Sequence, residues 1–170
     1  MSYTEHSFYS LNSSGYHRIV YNDWGPKDGT PIIAIHGLTG NGHDFDYIAQ
    51  DLITLGYRLI APDLGGRGRS DFLQNPLDYN YNQYCHDLMA LLAHLDLAKP
   101  NKVDWLGISL GGLLGIKLAG MANTPIRRLI LNDVGPEVPK EALDFIHMVI
   151  AQKYIFKSVQ DMEERMRQTR

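Results

Sequence analysis

The hexapeptide Gly107-Ile108-Ser109-Leu110-Gly111-Gly112 follows a strand-like segment at residues 103–106. It opens a stretch in which Leu110, Leu113, Leu114, Leu118 and Met121 recur at helical spacing. A G-x-S-x-G set between a buried strand and a helix is a sharp turn that lifts a serine hydroxyl above a sheet. The glycines answer a steric demand, because strand and helix meet there and the serine's own backbone is strained. A hydroxyl held at the positive end of a helix is suited to nucleophilic attack.

A second group, His36-Gly37-Leu38-Thr39-Gly40-Asn41-Gly42, directly follows the apolar run at residues 31–35. Attack by a serine on a carbonyl creates an oxyanion, which two backbone N–H groups aimed at one point stabilise. The sequence offers one donor from the residue after the nucleophile, Leu110, and one from this loop, at Leu38. Glycines let the loop backbone come close to a substrate. His36 is expected to shape the loop by hydrogen bonding rather than to act as a base.

Other chemistries fail on spacing or composition. Gly107 to Gly112 is not a dinucleotide fingerprint, and the loop at 65–70 lacks the ending of a phosphate loop. His6, His17, His43, His86, His94 and His147 show no metal-ligand pairing, so no metal and no cofactor are expected. Cys85 is the only cysteine, which excludes an intrachain disulfide and a thiolate zinc site. A net charge of −3 gives no reason to expect nucleic acid or an anionic membrane as partner. Lys157, Arg165, Arg167 and Arg170 alternate with Asp161, Glu163 and Glu164, the pattern of a solvated helix face. Residues 1–6 lack the basic start of a secretory signal, and no apolar run nears the ~20 residues that span a bilayer. A cytoplasmic protein is expected.

The elements that must position these residues can be read from periodicity. Two alternating segments at 6–11 and 16–21, split by Asn12-Ser13-Ser14-Gly15, predict a β-hairpin. The continuous apolar run at 31–35 predicts a strand buried on both faces, and the segments at 57–61, 103–106 and 126–131 predict further strands. Between them, Phe45, Ile48, Ala49 and Leu52 mark one helical face, and Leu88, Leu91, Leu92 and Leu95 another. Strands alternating with amphipathic helices predict an α/β fold, a mostly parallel sheet with helices on both faces. Residues 1–137 form this core. Residues 138–170 carry two helical stretches, at 140–153 and 158–167, with no strand between them.

A third motif, Pro62-Asp63-Leu64-Gly65-Gly66-Arg67-Gly68-Arg69-Ser70-Asp71, completes a set with His36-Gly37, the Ser109 turn and Asn132-Asp133. From about residue 16 to 136 this set resembles the α/β-hydrolase superfamily, and more narrowly bacterial small esterases and carbon–carbon-bond hydrolases. The resemblance implies a helical cap beginning at residue 138 and a Ser–acid–His triad in that chain order. Asp133 is then the candidate acid. Some branches of the family take the acid from the next strand instead, and a loop-capping role before Gly135-Pro136 is the structural alternative. The histidine should follow the last strand of the sheet, which this sequence lacks. The chain therefore reads as the N-terminal part of the fold, its last strands absent.

The function so implied is a serine hydrolase acting on esters or similar small acyl compounds through an acyl-enzyme. A carbon–carbon-bond hydrolase of the same fold and a non-catalytic binding protein that keeps it are the alternatives. Dehalogenases and epoxide hydrolases resembling this fold place Asp at the nucleophile position, where this chain has Ser109. A C-terminal fragment of the same parent, or a second copy, is the expected partner that completes the sheet.

Overall fold

The computed structural model describes residues 3–150 and 154–168. It divides into two units, Met1–Pro136 and Glu137–Arg170. The first is built on strands β1 (Thr4–Asn12), β2 (Gly15–Trp24), β3 (Thr30–Ile35), β4 (Tyr57–Pro62), β5 (Val103–Ile108) and β6 (Ile126–Asn132). Its helices are α1 (Asp46–Thr54), α2 (Tyr81–His94) and α3 (Leu110–Ala119). In space the strands run β1-β2-β4-β3-β5-β6. The β1–β2 hairpin docks antiparallel on β4, while β4, β3, β5 and β6 are parallel.

Successive residues of a strand face opposite sides, so a central strand must be apolar on both. In β3, Ile33 and Ile35 pack with Leu88, Leu91, Leu92 of α2 and Leu114, Leu118 of α3. Ile32 and Ala34 pack on the other side with Phe45, Ala49 and Leu52 around α1. Continuous apolar runs in the sequence thus become the middle of a three-layer sandwich. The C-terminal ends of β3, β4, β5 and β6 all lie along one edge of the sheet, and each motif singled out above follows one of them.

Two helix expectations shift. Phe45 is buried in a 3₁₀ turn, Gly42–Phe45, that precedes α1, while Ile48 is exposed. A 3₁₀ turn has three residues per turn, so an apolar phase carried across the junction slips. Helix α3 stops at Ala119 with Gly120 as its cap, leaving Met121 outside and exposed.

Among the described residues the second unit holds α4 (Lys140–Ile150) and α5 (Val159–Gln168) and no strand. Of the helical stretch expected at 140–153, the last three residues lie outside the described residues. No helix of the described residues is long and apolar enough to cross a membrane.

Candidate active site

Strand β5 ends at Ile108 and α3 begins at Leu110, so the chain reverses on Ser109 alone. Its φ of 47° and ψ of −111° are a conformation that costs an L-residue roughly 1–3 kcal/mol. Three hydrogen bonds hold it. The Ser109 N–H donates to Asn132 O at 3.0 Å, and its carbonyl accepts from Gly112 N at 2.9 Å and Leu113 N at 3.1 Å. Beneath, the buried Trp105 indole donates to Gly111 O at 3.0 Å, pinning the first turn of α3 to β5. A Cβ on Gly107 would lie 2.5 Å from the Gly111 carbonyl, and one on Gly111 would enter the backbone of Ile35. Only glycine permits strand and helix to close this tightly.

The loop after β3 runs past the serine: a Cβ on Gly37 would sit 3.6 Å from Ser109 Cβ. His36, fully buried, ties this loop to the next. Its Nε2 accepts from Leu64 N at 3.0 Å, so Nδ1 carries the proton and donates to Gly37 O at 2.6 Å. Burial pushes the His36 pKa below the ordinary 6.5, against the opposing pull of the Gly37 bond and the Asp63 charge. Gly37 O also accepts from Gly40 N at 3.2 Å. In a trans peptide the N–H points opposite to the carbonyl, so the Leu38 N–H faces away from both donors. Among the described residues neither the Leu38 N–H nor the Leu110 N–H has a hydrogen-bond partner. Both residues line one cavity of about 400 Å³, together with Tyr79, Asn80, Tyr81 and Tyr84.

The loop after β4 is anchored by Asp63 and Ser70. Burial alone would raise the Asp63 pKa. Hydrogen bonds from the Arg69 side chain, Arg69 N and Gly42 N outweigh that and hold it below the ordinary carboxylate value. Ser70 bridges Asp63 O and Val20 N. Arg67 was not singled out in the sequence. Its Nε donates to Leu38 O at 3.2 Å, and its Nη1 to Gly65 O at 2.7 Å and Tyr84 Oη at 2.6 Å. Its guanidinium also lies over the Tyr84 and Tyr79 rings, 5.0 and 5.8 Å from their centroids. The tyrosines Tyr79, Tyr81 and Tyr84, spanning the start of α2, were the available signal for this wall.

Asp133 is the residue after β6, with φ 59° and its side chain exposed. It is one residue past the carbonyl that binds the Ser109 amide, at the same edge of the sheet. Among the described residues its carboxylate takes no hydrogen bond or ion pair, so it caps nothing in the loop before Gly135-Pro136. No histidine among the described residues is hydrogen-bonded to Ser109, and His36 has both ring nitrogens engaged. No group of three or more His, Cys, Asp or Glu among the described residues is placed to hold a metal.

The family model for the alpha/beta hydrolase fold matches residues 30–170. The chain belongs to that family. It is 40% identical over 152 residues to the 3-hydroxybutyrate-oligomer hydrolase of Cupriavidus necator, covering 89% of this chain and 50% of that protein. A haloalkane dehalogenase of Psychrobacter cryohalolentis is 34% identical over 110 residues, 65% of this chain and 35% of its own length. Among solved structures, an alpha/beta hydrolase from Novosphingobium aromaticivorans superposes with a TM-score of 0.79 at 35% identity. That match covers 92% of this chain and 53% of the other. This α/β-hydrolase chain thus spans half or less of the length of the curated relatives it matches.

Proposed function

We propose that the protein hydrolyses carboxylic esters through an acyl-enzyme on Ser109. The single observation that carries this is the pair of unpartnered N–H groups, on Leu38 and Leu110, flanking a serine held at positive φ. Ser109 Oγ adds to the ester carbonyl while its proton passes to a histidine base. The carbonyl electron pair moves onto oxygen, where the Leu38 and Leu110 N–H groups and the N-terminus of α3 receive it. A donor of this kind contributes about 3 kcal/mol to the transition state. The tetrahedral adduct collapses, the C–O bond to the alcohol breaks, and the alcohol leaves with the proton. Water then attacks the acyl group by the same route, releasing the acid and restoring the hydroxyl.

We assign the base to a histidine in the part of the relatives' length that this chain does not match, oriented by Asp133. The free Asp133 carboxylate at the serine's edge of the sheet supports that role. The relative from Cupriavidus acts, by its name, on 3-hydroxybutyrate oligomers. We carry the class, a short hydroxy-acid oligoester, to this protein. Dehalogenation is disfavoured by Ser109: halide displacement by a serine oxygen leaves an ether, with no carbonyl for water to attack.

Replacing Ser109 by Ala in the whole protein should lower hydrolysis of a short aryl ester by roughly 10⁴-fold or more. Labelling by a fluorophosphonate should vanish with it. Turnover near the wild-type value in that variant would sink the assignment.

A further inference from the structure

The cavity beside Ser109 has an electrostatic character that the ester reaction itself does not require. Its walls include the first residues of two helices, Asn80 and Tyr81 at the start of α2 and Leu110 at the start of α3. Helix N-termini carry partial positive charge. No acidic side chain lines the cavity. Behind its tyrosine wall stands a full positive charge, Arg67, which touches three of the lining residues, Leu38, Tyr79 and Tyr84.

All three acceptors that Arg67 uses are neutral, two carbonyls and a phenol. Among the described residues it forms no ion pair, and its Nη2 has no hydrogen-bond partner. The other arginine of the same loop, Arg69, is paired with Asp63 and Glu5. Arg67 is only half-buried, so two donor hydrogens remain available on a guanidinium fixed by three bonds and two rings. A preorganised guanidinium loses little freedom on binding a carboxylate, its best-matched partner.

We infer that Arg67 is a specificity-determining residue that selects substrates carrying a carboxylate close to the scissile ester, such as the acid end of a hydroxy-acid oligomer. This deepens the ester-hydrolase reading and rests on it for the word substrate. The anion preference itself is a property of binding. It is measurable with the chemistry switched off.

The test uses the whole protein with Ser109→Ala, which binds without turning over. The probes are the linear dimer of 3-hydroxybutyrate as its carboxylate and the same dimer as its methyl ester, each titrated by calorimetry. The carboxylate should bind roughly tenfold or more tighter than the methyl ester, as expected of a full positive charge held just behind the cavity wall. The difference should shrink as salt is raised. Adding Arg67→Gln should bring the two affinities together, whereas Arg67→Lys, which keeps the charge, should retain part of the gap. Should the Gln variant fail to fold, the Lys variant decides: a gap as wide as with Arg67 present overturns the inference, and a narrowed or lost one supports it. Equal affinities with Arg67 present, a preference that survives Arg67→Gln, or no binding of either dimer would also overturn it. Failure of the nucleophile assignment shows up separately, as turnover in Ser109→Ala, and leaves these affinities readable.

Discussion

His36 and Asp133 are polar residues at one edge of the sheet with opposite situations. His36 is walled in and committed at both nitrogens; Asp133 is exposed and committed to nothing. The His36 pKa is depressed, so between its folded value and the unfolded 6.5 the unfolded chain binds more protons than the folded one. Stability must therefore fall as pH drops from about 7 through that window. The urea midpoint should be lower at pH 5.5 than at 7.5, and His36→Gln should be less stable at both but with a flatter dependence. An equal slope in wild type and variant would place the titration elsewhere. For Asp133, Asn in its place keeps the shape and removes the charge. Turnover of the whole enzyme should drop by roughly 10⁴-fold, as when a triad acid no longer sets the histidine tautomer. A mild kinetic effect would move the acid role to another residue.

At the scale of elements, the β5–α3 junction is the tightest place in the fold. Gly107→Ala puts a methyl 2.5 Å from the Gly111 carbonyl carbon and oxygen, backbone atoms that cannot swing aside. We expect a loss of about 3 kcal/mol or more in urea unfolding, at the upper end for overpacking. Gly120→Ala is the control: its nearest contact would be 3.6 Å at a φ of −75°, so stability should hold or rise slightly. A Gly107→Ala protein as stable as wild type would mean that the turn is looser than described. This junction was legible in the sequence because its demands are local, a glycine two residues either side of one serine. The same holds for the hairpin turn and the apolar runs of the central strands. Arg67 was not legible: its partners Tyr84 and Leu38 are 17 and 29 residues away, and no spacing rule links them. Helix ends slipped for a related reason, since a 3₁₀ turn and a capping glycine change the phase that periodicity assumes.

For the molecule as a whole, the sheet of the described residues has two edge strands, β1 and β6, and β6 is the one beside the strand that leads into Ser109. Among the described residues it pairs with β5 alone, so its outer N–H and C=O groups face outward. Its side chains offer little cover: Ile130 is 51% exposed and Leu131 38%, with Arg127 and Arg128 exposed at its start. An apolar strand edge of this kind is a template for another strand. Two kinds of polypeptide can supply one, and they differ in function. A second copy would cover the edge and add no new type of residue beside Ser109; a polypeptide with the remainder of the relatives' length could bring a histidine as well. Residues 1–170 expressed alone should therefore associate and show no esterase activity. Light scattering on size-exclusion fractions should give masses at multiples of 19.2 kDa. Ile130→Lys places a charge at the edge and should shift the population toward monomer without restoring activity. Activity should appear only in fractions that hold a second, different polypeptide. A monodisperse, active monomer near 19.2 kDa would refute the edge argument and the assignment of the base together. His36 would then have to break its bonds to Gly37 and Leu64 to serve as base, and those bonds are what aim the Leu38 N–H.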